Sequence, residues 1–321
     1  MDLKMMDTPE FRGKIERIIK ALGVTAAGSI LRQPEIDKVI AQMVEYKNPL
    51  RMNLPRKPGS GDAFYQNRRT PGTTGAEFVS DLGTLNQSGG SFAQVNFPYK
   101  TIAYNGVISR RLQAQGRSYA NIAAQEIEAA TLEFRKKEEN GLFKGSVSSS
   151  ALEFDGLDIL IPSSQAVGMT TVTLGESITL AKLDEVIDTC IHEPDLILCS
   201  KRTSRQINAL LQAQQRFVDK IEIKGGFKVP TYNGIPILRS TEIPDTQAWD
   251  GSAVTDEVSG GTSTLYVIDT DHCFISELTK VTILPLAKTT SQSDAFDIYC
   301  DEVLVMRNYL TCAKLIGITG S

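Results

Sequence analysis

The sequence predicts an α+β fold, and three observations carry that prediction. A long amphipathic helix fills residues 118–140. The stretch 64–100 has strand-forming character with too few apolar residues for a core of its own. From about residue 166 onward, helices and strands alternate. The helix comes first because its signal is strongest. Apolar or small residues fall at Tyr119, Ile122, Ala123, Ile127, Ala130 and Phe134, a spacing of three or four that lays one stripe along a helix. Ser118 stands where an N-cap hydroxyl accepts a free backbone amide. Asn140-Gly141 supplies a left-handed C-terminal cap just after the acidic pair Glu138-Glu139. About 23 residues at ~1.5 Å each make a rod of roughly 35 Å. A small polar link, Lys144 to Ser150, and a tight turn, Leu152-Glu153-Phe154-Asp155-Gly156-Leu157, follow it.

Ahead of the rod, residues 1–50 hold two short helical patterns. One starts at Thr8-Pro9-Glu10 and carries Phe11, Ile15, Ile18, Ile19 and Leu22. The other starts at Pro34 and ends near Asn48-Pro49. From Pro55 to Gly75 the chain is rich in Pro, Gly, Arg and Thr and reads as extended. In the following excursion, Phe92, Gln94, Val95, Asn96, Phe97, Pro98 and Tyr99 form a partly alternating strand. Thirty-odd residues without a core are either disordered or held by another chain. Ile102-Ala103 and Val107-Ile108-Ser109 then lead into the rod.

Beyond residue 166, Leu180 to Ile191 is helical, Asp195-Leu196-Ile197-Leu198-Cys199 is a buried strand, and Ser200 to Phe217 is a second helix. Val229 to Leu238 makes two strands around Asn233-Gly234. Residues 245–263 form a polar loop. Leu265 to Asp269, Val281 to Leu284 and Asp297 to Tyr309 are strands.

Composition narrows the function. A chain of 321 residues, 41% hydrophobic and 22% charged, is an ordinary globular sequence long enough for two domains. No window approaches eighteen uninterrupted apolar residues, and the first residues lack a signal-peptide core, so synthesis in a cytoplasm is expected. A net charge of −4 argues against a dedicated nucleic-acid reader. The charge is nevertheless uneven. Residues 1–75 carry 13 Lys/Arg against 8 Asp/Glu, a net of +5, and the remainder carries 21 against 30, a net of −9. A basic leader on an acidic body suits docking onto a neighbour or loose phosphate contact, or is simply solvated. Five cysteines without a C-x-x-C pair read as reduced, mostly buried thiols.

No catalytic constellation emerges. The phosphate-binding G-x-x-x-x-G-K-[ST] loop is missing, since Gly141 to Gly145 has the wrong spacing. His192 lies two residues after Cys190, and His272 directly precedes Cys273. If those loops met they would suggest a Cys₂His₂ zinc site, though neither spacing follows a ligand pattern and a buried cysteine beside an exposed histidine explains each. Asp269 and Asp271 read as the polar end of a strand. Ser148-Ser149-Ser150 is a linker and not a nucleophile elbow. No cofactor or metal is assigned.

The ordered set Ile102-Ala103, Ile108-Ser109, long helix, Glu138-Glu139, Gly145, Phe154-Asp155-Gly156-Leu157 resembles the major capsid proteins of tailed bacteriophages, the Hong Kong 97-type fold. The downstream order of helix, Pro194-to-Ser200 strand, Arg202-Thr203 helix and Tyr232-to-Leu238 strand fits as well, so the resemblance covers roughly residues 60–315. It implies an N-terminal arm (1–63), an extended β loop (64–100), a peripheral domain (101–165 and 276–310) with its spine helix at 118–140, and an α/β axial domain (166–275 and 311–321). It also implies structural and assembly roles for Phe92, Phe97, Tyr99, Ser109, Tyr119, Ile122, Ile127, Phe134, Glu138, Glu139, Gly145, Phe154, Gly156 and Leu157.

The function so implied is a shell subunit, not an enzyme. It self-assembles into pentamers and hexamers of an icosahedral phage head around double-stranded DNA, with portal, scaffolding and decoration proteins as further partners. The short leader is expected to leave no room for a fused scaffold or a maturation cleavage, and nothing marks Lys100 for covalent cross-linking. The nearest alternative is an encapsulin-type nanocompartment shell, which shares the fold and encloses cargo enzymes. A more distant one is an α/β enzyme or binding protein.

Overall fold

The computed structural model of the chain describes residues 48–70, 76–84, 89–116, 121–168, 176–213, 220–223, 227–246, 261–286 and 293–319. The two helical patterns expected before residue 48, together with Ser118 and Tyr119, lie outside them. Pro49 opens a short helix, α1 (Pro49–Asn53), at the position where its missing amide costs nothing. The end of the helix expected from Pro34 lies outside the described residues, and within them Pro49 starts a helix. Strand β1 (Arg56–Pro58) follows, then a hairpin of β2 (Ala63–Thr70) and β3 (Ser91–Pro98), paired from Ala63↔Pro98 to Thr70↔Ser91. Strand β4 (Lys100–Ser109) runs into α2 (Arg110–Gly116), a helix the sequence reading does not separate from the rod.

The long helix, α3, spans Ile122–Lys144 and not 118–140. Its first turn is capped by Asn121, whose side-chain oxygen accepts the amide of Ala124 at 3.3 Å. At the other end it passes through Asn140-Gly141 and stops at Gly145, whose amide donates to Gly141 O at 2.9 Å. Relative magnitudes explain the overrun. A helix-interior glycine costs about 1 kcal/mol, while burying a Leu or Phe side chain gains about 1.5–3 kcal/mol each. The extra turn buries both Leu142 and Phe143, at 0% and 1% exposure.

The remaining elements are α4 (Leu157–Leu160), β5 (Ala166–Gly168), α5 (Leu180–Thr189), β6 (Leu196–Cys199), α6 (Lys201–Ala213), β7 (Lys220–Ile223), β8 (Phe227–Tyr232), β9 (Ile235–Arg239), β10 (Ser263–Ile268), β11 (Cys273–Pro285), β12 (Ser293–Met306) and β13 (Ala313–Ile318). They make two principal sheets. The four-stranded sheet has the order β1-β11-β12-β4, with β1 parallel to β11 and the other pairs antiparallel. The seven-stranded sheet has the order β5-β13-β10-β6-β9-β8-β7. In it β6 and β9 are parallel, joined across α6, and β6 is buried along its whole length, which accounts for its unbroken Leu-Ile-Leu-Cys run. Asn233 and Gly234 take φ of +49° and +84°, the turn that their Asn-Gly pair predicts. Strand β10 belongs to the larger sheet and β11 to the smaller. The chain therefore changes sheets at 269–272, and the boundary expected at 275/276 falls inside β11.

Three apolar clusters hold this together. One packs Ile122, Ala123, Ile127, Ala130 and Phe134 of α3 onto Ile108, Phe296, Ile298 and Cys300 of the smaller sheet, the face that the stripe predicts. A second joins α5 and α6 to the larger sheet through Leu183, Val186, Ile207, Ile197, Val267 and Leu315. The third links both sheets to the end of α3 through Leu142, Phe143, Phe154, Leu157, Tyr266 and Phe274. Among the described residues no helix is long and apolar enough to cross a membrane.

Candidate functional site

The end of α3 is a junction on which five separate segments converge. Glu138 and Glu139, at 0% and 1% exposure, face into the protein. Glu139 accepts the backbone amides of Leu50 at 3.1 Å and Arg51 at 2.8 Å, while Ser240 Oγ donates to it at 3.4 Å. Asn48 Nδ2 donates to Arg135 O at 2.7 Å, one helical turn earlier. Glu138 pairs with both Arg51 and Arg56. Arg56 is a three-way bridge that also pairs with Glu277 of β11 and Glu302 of β12, the latter at 3.3 Å. Residues 48–58 thus lie as a strap over the spine, with Leu50 and Leu54 buried beneath it.

Burial shapes the protonation here. It pushes Glu139 up to about 7, against the two backbone amides that favour its charged form. Burial and then the neighbouring Glu138 carboxylate push Glu302 up to about 8, against the two arginines. Burial alone would lower the Arg56 guanidinium pKa, but Glu138, Glu277 and Glu302 raise it.

The Phe154-to-Leu157 turn seats on the same helix end through two close backbone approaches. Gly156 N donates to Gly145 O at 2.8 Å. A Cβ on Gly145 would lie 2.3 Å from Phe154 O, and one on Gly156 would lie 2.7 Å from Gly141 O. Both positions therefore require glycine. The intervening segment, expected as a flexible link, is an ordered run of turns: Ser146 is buried, Val147 N donates to Asp155 Oδ1 at 2.9 Å, and Ser150 N donates to Ser146 O at 3.0 Å. Past the turn, Asp158 holds α4 to the larger sheet. Lys314 Nζ donates to its backbone oxygen at 2.7 Å and its carboxylate at 3.1 Å, and Tyr266 Oη donates to the same carboxylate at 3.4 Å.

The β2–β3 hairpin has two unlike faces. Its inward face is held by its own chain: Phe64 meets Phe274 edge-on at 5.6 Å, Gln66 Nε2 donates to Arg307 O at 2.9 Å, and Arg68 Nη2 donates to Met306 O at 2.7 Å. The coreless excursion is therefore anchored by its own subunit as far as Arg68 and Ala93. Beyond that anchor Phe78 is fully exposed, Leu82 is 98% exposed and Phe92 is 74% exposed.

Of the residues singled out in sequence, the structure brings Phe134, Glu138, Glu139, Gly145, Phe154, Gly156 and Leu157 together along the spine and its end. Ile122 and Ile127 line the start of the same helix. Phe97 is buried at the base of the hairpin, and Tyr99 Oη shares a hydrogen bond with Ser276 Oγ at 2.9 Å. Ser109 sits exposed at the end of β4, Phe92 stands apart near the hairpin tip, and Tyr119 lies outside the described residues. Sequence reading missed Arg51, Arg56, Glu277, Glu302, Asp158 and Lys314. The only local signal was the arginine content of the 55–75 stretch.

The two histidines do meet, His192 and His272 stacking at 5.7 Å, with His272 Nδ1 2.8 Å from Asp269 Oδ2. Asp269 also accepts the amide of Asp271, so it organises the turn after β10. Among the described residues no three His, Cys, Asp or Glu side chains are placed to hold a metal ion. Burial pushes the Cys190 and Cys199 thiols up to about 12, far from a reactive thiolate.

A spine helix clamped at its end, a protruding hairpin, and two sheets meeting at one junction define a shell-building subunit. The chain belongs to the SU10 major capsid protein family, whose sequence model matches residues 105–319. It is a major capsid protein with the Hong Kong 97-type fold. Solved structures with this fold include a chain of Microbacterium phage Oxtober96, 13% identical, with a TM-score of 0.65 over 94% of this chain and 99% of that one. The capsid of a native GTA particle is 14% identical, with a TM-score of 0.61 over 92% and 98%. The holo-SrpI encapsulin complex of Synechococcus elongatus PCC 7942 is 11% identical, with a TM-score of 0.67 over 91% and 95%. No curated protein matches the sequence.

Proposed function

We propose that the chain self-assembles into pentamers and hexamers of a closed icosahedral phage head around double-stranded DNA. The observation that carries this reading is the hairpin tip: Phe78, Leu82 and Phe92 are exposed on a base that is itself firmly anchored. Large apolar side chains held out from a subunit are covered by a neighbour, or they aggregate. On this reading residues 1–63 are the arm, 64–100 the loop over the next subunit, 101–165 with 276–310 the peripheral domain, and 166–275 with 311–321 the axial domain. Many moderate contacts then multiply by valency around a closed shell. Portal, scaffolding and decoration proteins are the further partners, and assembly takes place in the host cytoplasm. The net charge of −9 outside residues 1–75 keeps packaged DNA from adhering to the wall where those charges face inward.

Electron microscopy of the purified chain tests this directly. Hollow polyhedra containing nuclease-protected double-stranded DNA in native particles are expected, and a small oligomer without shells overturns the reading. The likeness to the encapsulin complex supports a second reading, a nanocompartment shell. Closed particles that hold protein cargo and no nuclease-protected DNA would favour it.

A further inference from the structure

Strand β1 is three residues long, yet two separate parts of the fold close on it. It lies parallel to β11 in the register Arg56↔Ile275, Lys57↔Ser276 and Pro58↔Glu277. Backbone hydrogen bonds fasten both of its ends: Ile275 N donates to Pro55 O at 3.0 Å, and Gly59 N donates to Glu277 O at 2.7 Å. Side chains alternate across a strand, so Arg56 and Lys57 face opposite sides of the smaller sheet. Arg56 faces the spine, where it pairs with Glu138 of α3, Glu277 of β11 and Glu302 of β12. Lys57 faces the hairpin, its ammonium 4.0 Å from the centroid of the Phe274 ring.

That ring is the platform of the hairpin base. Phe64 of β2 meets it edge-on at 5.6 Å. Arg307, whose backbone oxygen accepts Gln66 Nε2, lies over it at 4.9 Å. Phe274 is fully buried, and Lys57 is part of its cover, so lifting β1 opens aromatic surface to water and breaks a cation–π contact. Two residues further on, the strap meets the other strand of the hairpin. Tyr99, just past β3, shares a hydrogen bond with Ser276 Oγ at 2.9 Å. A Cβ on Gly59 would lie 2.0 Å from Tyr99 Oη, so the phenol rests directly on the strap's backbone. The hairpin therefore stands partly on residues 57–59, which are held in turn by the spine contacts of residues 48–56.

We propose that β1 couples the hairpin to the spine: the strap and the hairpin base are seated together and come loose together, so the seating of the strap sets how firmly the hairpin is held out. Arg56 and Lys57 are the positioning residues, one for each side. A coupling free energy is reciprocal, so loosening either side must loosen the other. The device belongs to the single subunit and stands whether the shell holds DNA or protein cargo.

Hydrogen exchange of the full-length protein tests the coupling from both sides. Arg56→Gln removes ion pairs made toward the spine. It should speed exchange at least about threefold in the hairpin peptides 63–70 and 91–98 as well as in 49–54, while 196–211 holds its rate. Lys57→Gln, on the hairpin side, should in turn speed exchange in 49–54, which carries the Leu50 and Arg51 amides held by Glu139. Should Arg56→Gln fail to fold, Glu277→Gln removes one of its pairs at the less buried rim and makes the same test. A hairpin whose exchange is unchanged in the spine-side variant overturns the proposal, as does a strap unchanged in Lys57→Gln. Equal acceleration in 196–211 also overturns it, since the whole subunit and not the coupled unit would then have loosened.

Discussion

Glu138 is a fully buried carboxylate that answers two arginines from a different part of the chain. Replacing it with alanine leaves Arg51 and Arg56, both largely buried, without their shared partner. The expected cost is about 3–5 kcal/mol, read as a lowered midpoint in urea unfolding of the soluble subunit. Steric crowding makes a second test at the same junction. Gly145→Ala drives a methyl to within 2.3 Å of Phe154 O, a backbone atom that cannot step aside. Its expected cost is about 1–3 kcal/mol or more. Gly141→Ala is the control, because a Cβ there meets only the Phe154 ring, at 3.5 Å, an ordinary contact. Removing a helix-interior glycine should then be neutral or stabilising by up to about 1 kcal/mol. The opposite ranking of these two glycine variants would show that the turn is not seated on the helix as described.

At the scale of the element, α3 owes its place to one buried stripe and one clamped end. Proline at Ala129, which is half-buried, tests the backbone, and proline at Ala130, which packs on Phe296 and Ile298, tests backbone and packing together. Each should cost about 3 kcal/mol or more, seen as lost far-ultraviolet helical signal and the absence of assembled particles. The stripe of this helix was legible in the sequence because its period is local: Ile122, Ile127, Ala130 and Phe134 need only each other to be recognised. The far end was not. Whether the helix stops at Gly141 or at Lys144 depends on what Leu142 and Phe143 gain by packing near Phe154 and Tyr266, and that gain is set far along the chain. The same reasoning covers the acidic pair. Glu138-Glu139 could be read as a feature of the family, but Arg56, which pairs with Glu138, lies 82 residues from it and 246 residues from Glu302, its other buried partner. No spacing announces them.

The whole molecule makes its case through what it leaves uncovered. The order of elements was enough to place the chain in its fold, because long helix, turn and alternating strands follow one another locally. How the hairpin is held was not legible, since its anchors are the backbone oxygens of Met306 and Arg307, which carry no side-chain signature. That anchoring sharpens the role of the tip. The base is fixed to its own subunit while Phe78 and Leu82 stay exposed, so on the proposed reading they are the side chains for a neighbour to cover. The double substitution Phe78→Ser and Leu82→Ser should leave subunit stability within about 0.5 kcal/mol of wild type, the usual range for exposed positions. Each covered side chain would otherwise contribute about 1.5–3 kcal/mol to a contact. That loss recurs at every subunit of a shell, so a modest pairwise deficit becomes a failure of closure. Sedimentation and electron microscopy should show folded subunits or capsomers without closed particles. Normal shells from the double variant would mean that the contacts closing the shell lie elsewhere, with the exposed apolar residues of β11, Leu278, Ile283 and Leu284, as the next surface to test.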